Sequence, residues 1–152
     1  MLEIYPLKTP KSLNYLIGNC DAHAKNFSVL HDVRKAGVKE QKLYAVKESG
    51  AITLAPFYDL ASTDAFENLS KEMAMKIGGA WDIRAVQKQD FYKAAREISV
   101  KEKEIDELSG SFSSIVPAAQ EIREEIAKAG FDAEICGRVI EGMEKRFKII
   151  AG

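Results

Sequence analysis

The chain has 152 residues, with 22 lysines and arginines against 23 aspartates and glutamates, and a formal net charge of −1. Hydrophobic residues make up 46% and charged residues 30%, which excludes a disordered chain and predicts one folded domain over 1–152 with a true core. So even a balance gives no bulk electrostatic reason to bind nucleic acid, and no apolar run approaches the ~20 residues of a membrane-spanning helix.

The two cysteines, Cys20 and Cys136, lack C-x-x-C spacing and read as reduced thiols, neither a disulfide framework nor a zinc site. No signal-peptide pattern is visible. Together these features predict a cytoplasmic protein.

Residues 1–10 form an irregular start, interrupted by Pro6 and Pro10. Pro10 suits the first turn of a short helix, Lys11 to Ile17, that Gly18 ends. The next stretch, Gly18-Asn19-Cys20-Asp21-Ala22-His23-Ala24-Lys25-Asn26, is a polar loop between two apolar runs. Asp, His, Lys and Asn within six residues suit a presented site better than a connector.

Phe27 to Leu30 predicts a short strand leaving the loop. His31 to Lys42 is polar and basic, carrying Arg34, Lys35, Lys39 and Lys42, and reads as a solvated loop. Leu43–Val46 and Ala51–Leu54 flank Glu48-Ser49-Gly50 and predict a β-hairpin. Such a hairpin returns the chain to the loop and brings Asp59 beside Asn26, with Pro56 at its edge.

Leu60 to Glu72 reads as irregular or loosely helical. Met73 to Ile77 alternates and stops at Gly78-Gly79, a short strand. The environment of Trp81 is left open. Asp90 to Ile98 predicts a helix with Phe91, Ala94, Ala95 and Ile98 on one face.

In the tail, Ile105, Leu108, Phe112, Ile115, Ala119, Ile122, Ile126 and Ala129 step by threes and fours. Pro117 splits that run into two helices with a bend between Gly110 and Pro117, and Gly130 is a C-cap. Asp132 opens a last helix with Ile135, Val139, Met143, Phe147 and Ile150 inward. The fold class is mainly α (α+β). A catalytic-loop and hairpin region over 11–60 precedes a helical bundle over 61–152, with no internal repeat.

Asp21 and Asn26 are spaced D-x-x-x-x-N. In kinase catalytic loops that spacing lets the aspartate take the proton of the attacking hydroxyl while the asparagine holds Mg²⁺. Asp59, in Ala55-Pro56-Phe57-Tyr58-Asp59-Leu60, is a second hard oxygen ligand of the kind Mg²⁺ takes. Asp21 also suits a loop cap on its own backbone, and Asp59 a helix N-cap.

Lys25 is either a point charge near phosphates or a surface lysine. His23 suits a loop-holding contact, and Asn19 a brace for the backbone. Cys20 has no base partner and is not read as a nucleophile. His31 has no zinc-ligand neighbours.

The run Asn14-Tyr15-Leu16-Ile17-Gly18-Asn19-Cys20-Asp21-Ala22-His23-Ala24-Lys25-Asn26-Phe27-Ser28, followed by Leu54-Ala55-Pro56-Phe57-Tyr58-Asp59-Leu60, closely resembles the C-terminal lobe of HipA-like serine/threonine kinases, bacterial toxins of toxin–antitoxin pairs. Ala74-Met75-Lys76-Ile77-Gly78-Gly79, Asp90-Phe91 and Ile115-Val116-Pro117-Ala118-Ala119 extend the resemblance. It implies Asp21 as catalytic base, Asn26 and Asp59 as Mg²⁺ ligands, and His23, Lys25 and Tyr58 on the nucleotide side of an ATP site. Its implied partners are a HipB-like helix-turn-helix antitoxin, through which any DNA contact would be indirect, and a protein substrate such as an aminoacyl-tRNA synthetase.

A kinase also needs a Gly-rich loop and a strand lysine over the phosphates. The twenty residues before Asp21 hold one glycine, Gly18, and have no place for a five-stranded lobe. The expectation is a chain whose N-terminal nucleotide lobe is absent and is supplied by a longer polypeptide or a partner. The alternative is a catalytically silent interaction module that binds an antitoxin or a complementary kinase half. A small-molecule phosphotransferase shares the Asp and Asn logic, but the residues flanking Asp21 favour the HipA-like pattern.

Overall fold

A computed structural model describes residues 11–31 and 52–152. Among these residues the element order is α1 (Ser12–Ile17), β1 (Val29–His31), β2 (Ile52–Leu54), β3 (Glu72–Ile77), β4 (Ala80–Asp82), α2 (Lys88–Glu97), α3 (Glu102–Phe112), α4 (Ile115–Lys128) and α5 (Glu134–Ala151). Single 3₁₀ turns at Ala24–Asn26 and Thr63–Ala65 flank the loop region. The fold is mainly helical, α+β, with two small antiparallel sheets. No described helix is long and apolar enough to cross a membrane.

The core gathers around α1. Its Tyr15 and Leu16 are buried with Met73 and Ile77 of β3, Ile83 and Val86, Phe91 of α2, Ile105, Leu108 and Phe112 of α3, and Met143 and Ile150 of α5. Tyr15 meets Phe91 edge to face at 5.1 Å, an arrangement aromatic quadrupoles prefer. Burying Phe91 alone is worth about 1.5–3 kcal/mol.

The helix ends follow their sequence signals. Gly18 ends α1 in the left-handed region (φ 82). The Gly18 amide reaches the Tyr15 carbonyl at 3.0 Å and the Asn19 amide reaches the Asn14 carbonyl at 2.8 Å, which satisfies two orphan carbonyls in a Schellman pattern. Pro117 is the third residue of α4, where a missing N–H costs no intrahelical bond. The bend foreseen between Gly110 and Pro117 lies at Ser113–Ser114.

The hairpin arm Leu43–Val46, like the basic run 34–42, lies outside the described residues. Among the described residues the second arm pairs with β1, in the register Val29↔Leu54, Leu30↔Thr53, His31↔Ile52. Two expectations are adjusted. Ala80–Asp82, not foreseen, pairs back on β3 across Gly78-Gly79, so Trp81 sits on a strand, half exposed. Ile122, placed on the buried stripe, is 55% exposed. Ile115, Val116 and Ala119, in the first turns of α4, pack on the core, whereas between 121 and 128 only Ile126 is not fully exposed, so the same face of the helix has run past the core at Ile122.

Candidate active site

The loop from Gly18 to Asn26 is built from below. Gly18 closes α1, and its carbonyl accepts the Asp64 amide at 2.9 Å. The Cys20 amide donates to Thr63 Oγ1 at 2.8 Å, and the Cys20 carbonyl accepts the Ala74 amide at 2.7 Å. The loop root is thereby bonded to both the Thr63–Ala65 turn and β3. Burial pushes the Cys20 thiol up from its ordinary pKa, which keeps it protonated and unreactive at neutral pH, in line with its exclusion as a nucleophile.

Asn19 is the brace. Its amide nitrogen donates to Asn14 Oδ1 at 2.7 Å and to the Asp59 carbonyl at 3.0 Å. Its Oδ1 accepts the Asp21 amide at 3.1 Å. One buried side chain therefore ties the backbones of both sequence-predicted aspartates, 40 residues apart for the pair Asn19 and Asp59.

Asp21 itself points out. Its side chain is 74% exposed, and its carboxylate lies 3.8 Å from His23 Nε2, too far for a hydrogen bond. An exposed carboxylate on a braced backbone is free to meet an incoming hydroxyl. His23 Nδ1 is buried with no hydrogen-bond partner among the described residues. The His23 carbonyl accepts the Asn26 amide at 2.9 Å and so closes the turn that aims Asn26. Lys25 is exposed at the rim.

Asn26 and Asp59 come together, as the return of the chain through β2 predicted. The Asn26 side-chain amide donates to Asp59 Oδ2. Asn26 is buried while Asp59 is exposed. Asp59 holds a left-handed backbone, φ 57, a region asparagine and aspartate tolerate better than most residues. Tyr58 fixes the same segment from its other side. Its hydroxyl donates to the Lys25 carbonyl at 2.8 Å and, with its one proton so used, accepts from Ser28 Oγ at 2.9 Å.

Paired carboxylate and amide oxygens are a hard donor set that suits Mg²⁺, which commonly takes one or two protein ligands and completes its shell with waters and phosphates. Among the described residues no three His, Cys, Asp or Glu side chains converge to hold a metal.

A stretch covering residues 11–120 matches the HipA-like C-terminal domain. The chain belongs to this family. It is also 34% identical over 98 residues to a Sinorhizobium fredii protein named "Putative kinase Y4mE". The aligned part is 64% of this chain and 20% of that protein, so this HipA-like chain spans about a fifth of its relative. No solved structure matches.

Three contributors to the site of this HipA-like domain were not foreseen. Thr63 and Asp64 lie in a Ser-Thr-Asp run with no signal beyond a turn. Arg146 did carry a signal. Val139, Met143, Arg146 and Ile150 step by four, three and four along α5, which puts a cation on an inward stripe. It is 6% exposed, with Nη1 2.5 Å from Asp64 Oδ2 and Nε donating to the Leu16 carbonyl at 2.9 Å.

Proposed function

We propose that this HipA-like domain carries the catalytic-loop half of a serine/threonine kinase site, transferring the γ-phosphoryl group of ATP to a protein hydroxyl. The supporting observation is the hydrogen bond between Asn26 and Asp59, made across 33 residues beside an exposed Asp21. Asp21 accepts the proton of the substrate hydroxyl. Asn26 and Asp59 hold Mg²⁺, which when bound supplies the positive charge that orients and neutralises the β- and γ-phosphate oxygens. Lys25 offers a point charge at the rim, and His23 and Tyr58 shape the nucleotide side of the loop. A protein substrate such as an aminoacyl-tRNA synthetase, and a HipB-like antitoxin as inhibitor, belong to the same proposal. So does a cytoplasmic location.

The test is transfer of labelled phosphate from ATP to protein, with Asp21→Ala and Asp59→Ala. Both substitutions are expected to abolish transfer. Wild-type rate in either variant contradicts the role given to that residue.

A second reading, an interaction module without turnover, draws support from the run of exposed apolar side chains Phe57, Leu60, Phe66 and Leu69 around Asp59. Co-purification with a neighbouring helix-turn-helix protein, without ATP turnover, supports it. Phosphotransfer by the chain alone removes it.

A further inference from the structure

We infer that Arg146 is a positioning residue that sets the catalytic loop against the Asp59–Asp64 segment. The inference rests on the reading of that loop as catalytic. Helix α5 lies beyond residues 11–120, the stretch that matches the family, yet it supplies a side chain that reaches both the root of the loop and the Asp59–Asp64 segment.

The guanidinium bridges a backbone carbonyl and a side-chain carboxylate. Through Nε it takes the Leu16 carbonyl in the last turn of α1, two residues before the loop begins. Through Nη1 it takes the Asp64 carboxylate, five residues after Asp59. Between these contacts it presses on Gly18, where an added Cβ would lie 2.6 Å from Arg146 Nη2 and 3.0 Å from Asp64 Cβ. The backbone bonds from Asp64 to Gly18 and from Cys20 to Thr63 then follow the same alignment. A planar fork with several donors can hold two acceptors at fixed angles, which a lysine ammonium does less well.

Asp64 also has Lys71, whose Nζ lies 3.7 Å from Oδ1 and donates to the Asp64 carbonyl at 2.9 Å. Loss of Arg146 therefore leaves Asp64 with a cation nearby, and what goes is chiefly the tie to Leu16 and Gly18. The expected consequence is local: the loop root loosens from the Asp59–Asp64 segment while the helices stay packed.

Cys20 is a built-in reporter. It is 4% exposed at the loop root, and Cys136 is the only other cysteine. In a Cys136→Ser background, alkylation of Cys20 is timed at several low urea concentrations for wild type, Arg146→Met and Arg146→Lys. Mg²⁺-ATP binding is measured on the same proteins. Arg146→Met is expected to raise the labelling rate at least about tenfold, with little urea dependence, as local opening does. It is also expected to weaken Mg²⁺-ATP binding at least about fivefold, with Arg146→Lys restoring part of both effects.

Labelling that stays at the wild-type rate, or rises only with the steep urea dependence of global unfolding, overturns the inference. Wild type that binds no Mg²⁺-ATP contradicts the proposed function for this chain, while the labelling arm still decides the role of Arg146. If Arg146→Met does not fold, Asp64→Asn, which leaves the Arg146–Leu16 hydrogen bond in place, is held to the same labelling criterion.

Discussion

The two halves of the candidate site are built differently. The loop half is set into the domain: Asn19, Cys20, Ala22 and Asn26 are buried, and their backbone groups are bonded to α1, to the Thr63–Ala65 turn and to β3. The Asp59 half lies on the surface. From Pro56 to Ala61 every residue is exposed, and the segment is tied down at Tyr58 by its hydroxyl and at Asp59 by Asn19 and Asn26. The loop presenting Asp21 and Asn26 is faced by an exposed segment carrying Asp59; on the proposed function, the base belongs to the set-in half and one of the two metal ligands to the surface half. The contrast also separates substitutions that disturb the fold from those that disturb only chemistry.

The largest expected effect is on chemistry alone. Asp21→Asn keeps the shape of an exposed side chain but cannot take a proton, and should lower phosphotransfer about 10²–10⁴-fold. Urea unfolding should be unchanged. A parallel loss of stability would mean that Asp21 also serves the fold.

Substitutions in the set-in half should cost stability first. Gly18→Ala must take a left-handed conformation and displace Arg146, at an expected cost of about 2–3 kcal/mol in urea unfolding. Asn19→Ala removes three hydrogen bonds and leaves the buried Asn14 side chain without one of its donors, at about 1–3 kcal/mol. It should also impair Mg²⁺-ATP binding, because Asn19 ties Asp21 to Asp59. In the surface half, Asp59→Gly should cost no more than about 1 kcal/mol, since glycine accepts φ 57 while the hydrogen bond from Asn26 is lost. Metal-dependent nucleotide binding should be lost in the same variant. A large stability loss there would erase the distinction between the halves.

The smallest effect lies away from both halves. The Tyr92 hydroxyl hydrogen-bonds Asp106 at 2.6 Å, and that bond, with Lys88, holds the Asp106 carboxyl below the ordinary aspartate range. A depressed folded-state pKa contributes stability above the unfolded pKa and loses it as pH falls through the folded value. Tyr92→Phe should therefore lower the melting temperature slightly at neutral pH, with the difference closing as pH falls through the depressed Asp106 value. A difference that persists in acid would assign the effect to packing.

Much of the set-in half was legible in the sequence. Gly18 announced the end of α1, the polar loop announced a site, and Asn19 was read as its brace. The meeting of Asn26 with Asp59 followed from the return of the chain, although the pairing partner of β2 is β1. What was not legible has physical causes. Ala80-Trp81-Asp82 is too short to show alternation, and only the Gly78-Gly79 turn marked a hairpin there. Ile122 keeps the rhythm of Ile115 and Ala119 on α4, but rhythm does not say where along a helix the core ends. Arg146 sat on an apolar stripe where rhythm favours a neighbouring hydrophobe, and its acceptors at Leu16 and Asp64 are 130 and 82 residues away, beyond any local pattern.

The central claim is that Asn26 and Asp59 form a metal half-site serving ATP, and calorimetry of Mg²⁺-ATP binding to this chain tests it most directly, with Asp59→Ala as control. The account predicts binding that requires Mg²⁺ and disappears in Asp59→Ala. Binding that is indifferent to Asp59, or none at millimolar nucleotide, would contradict it.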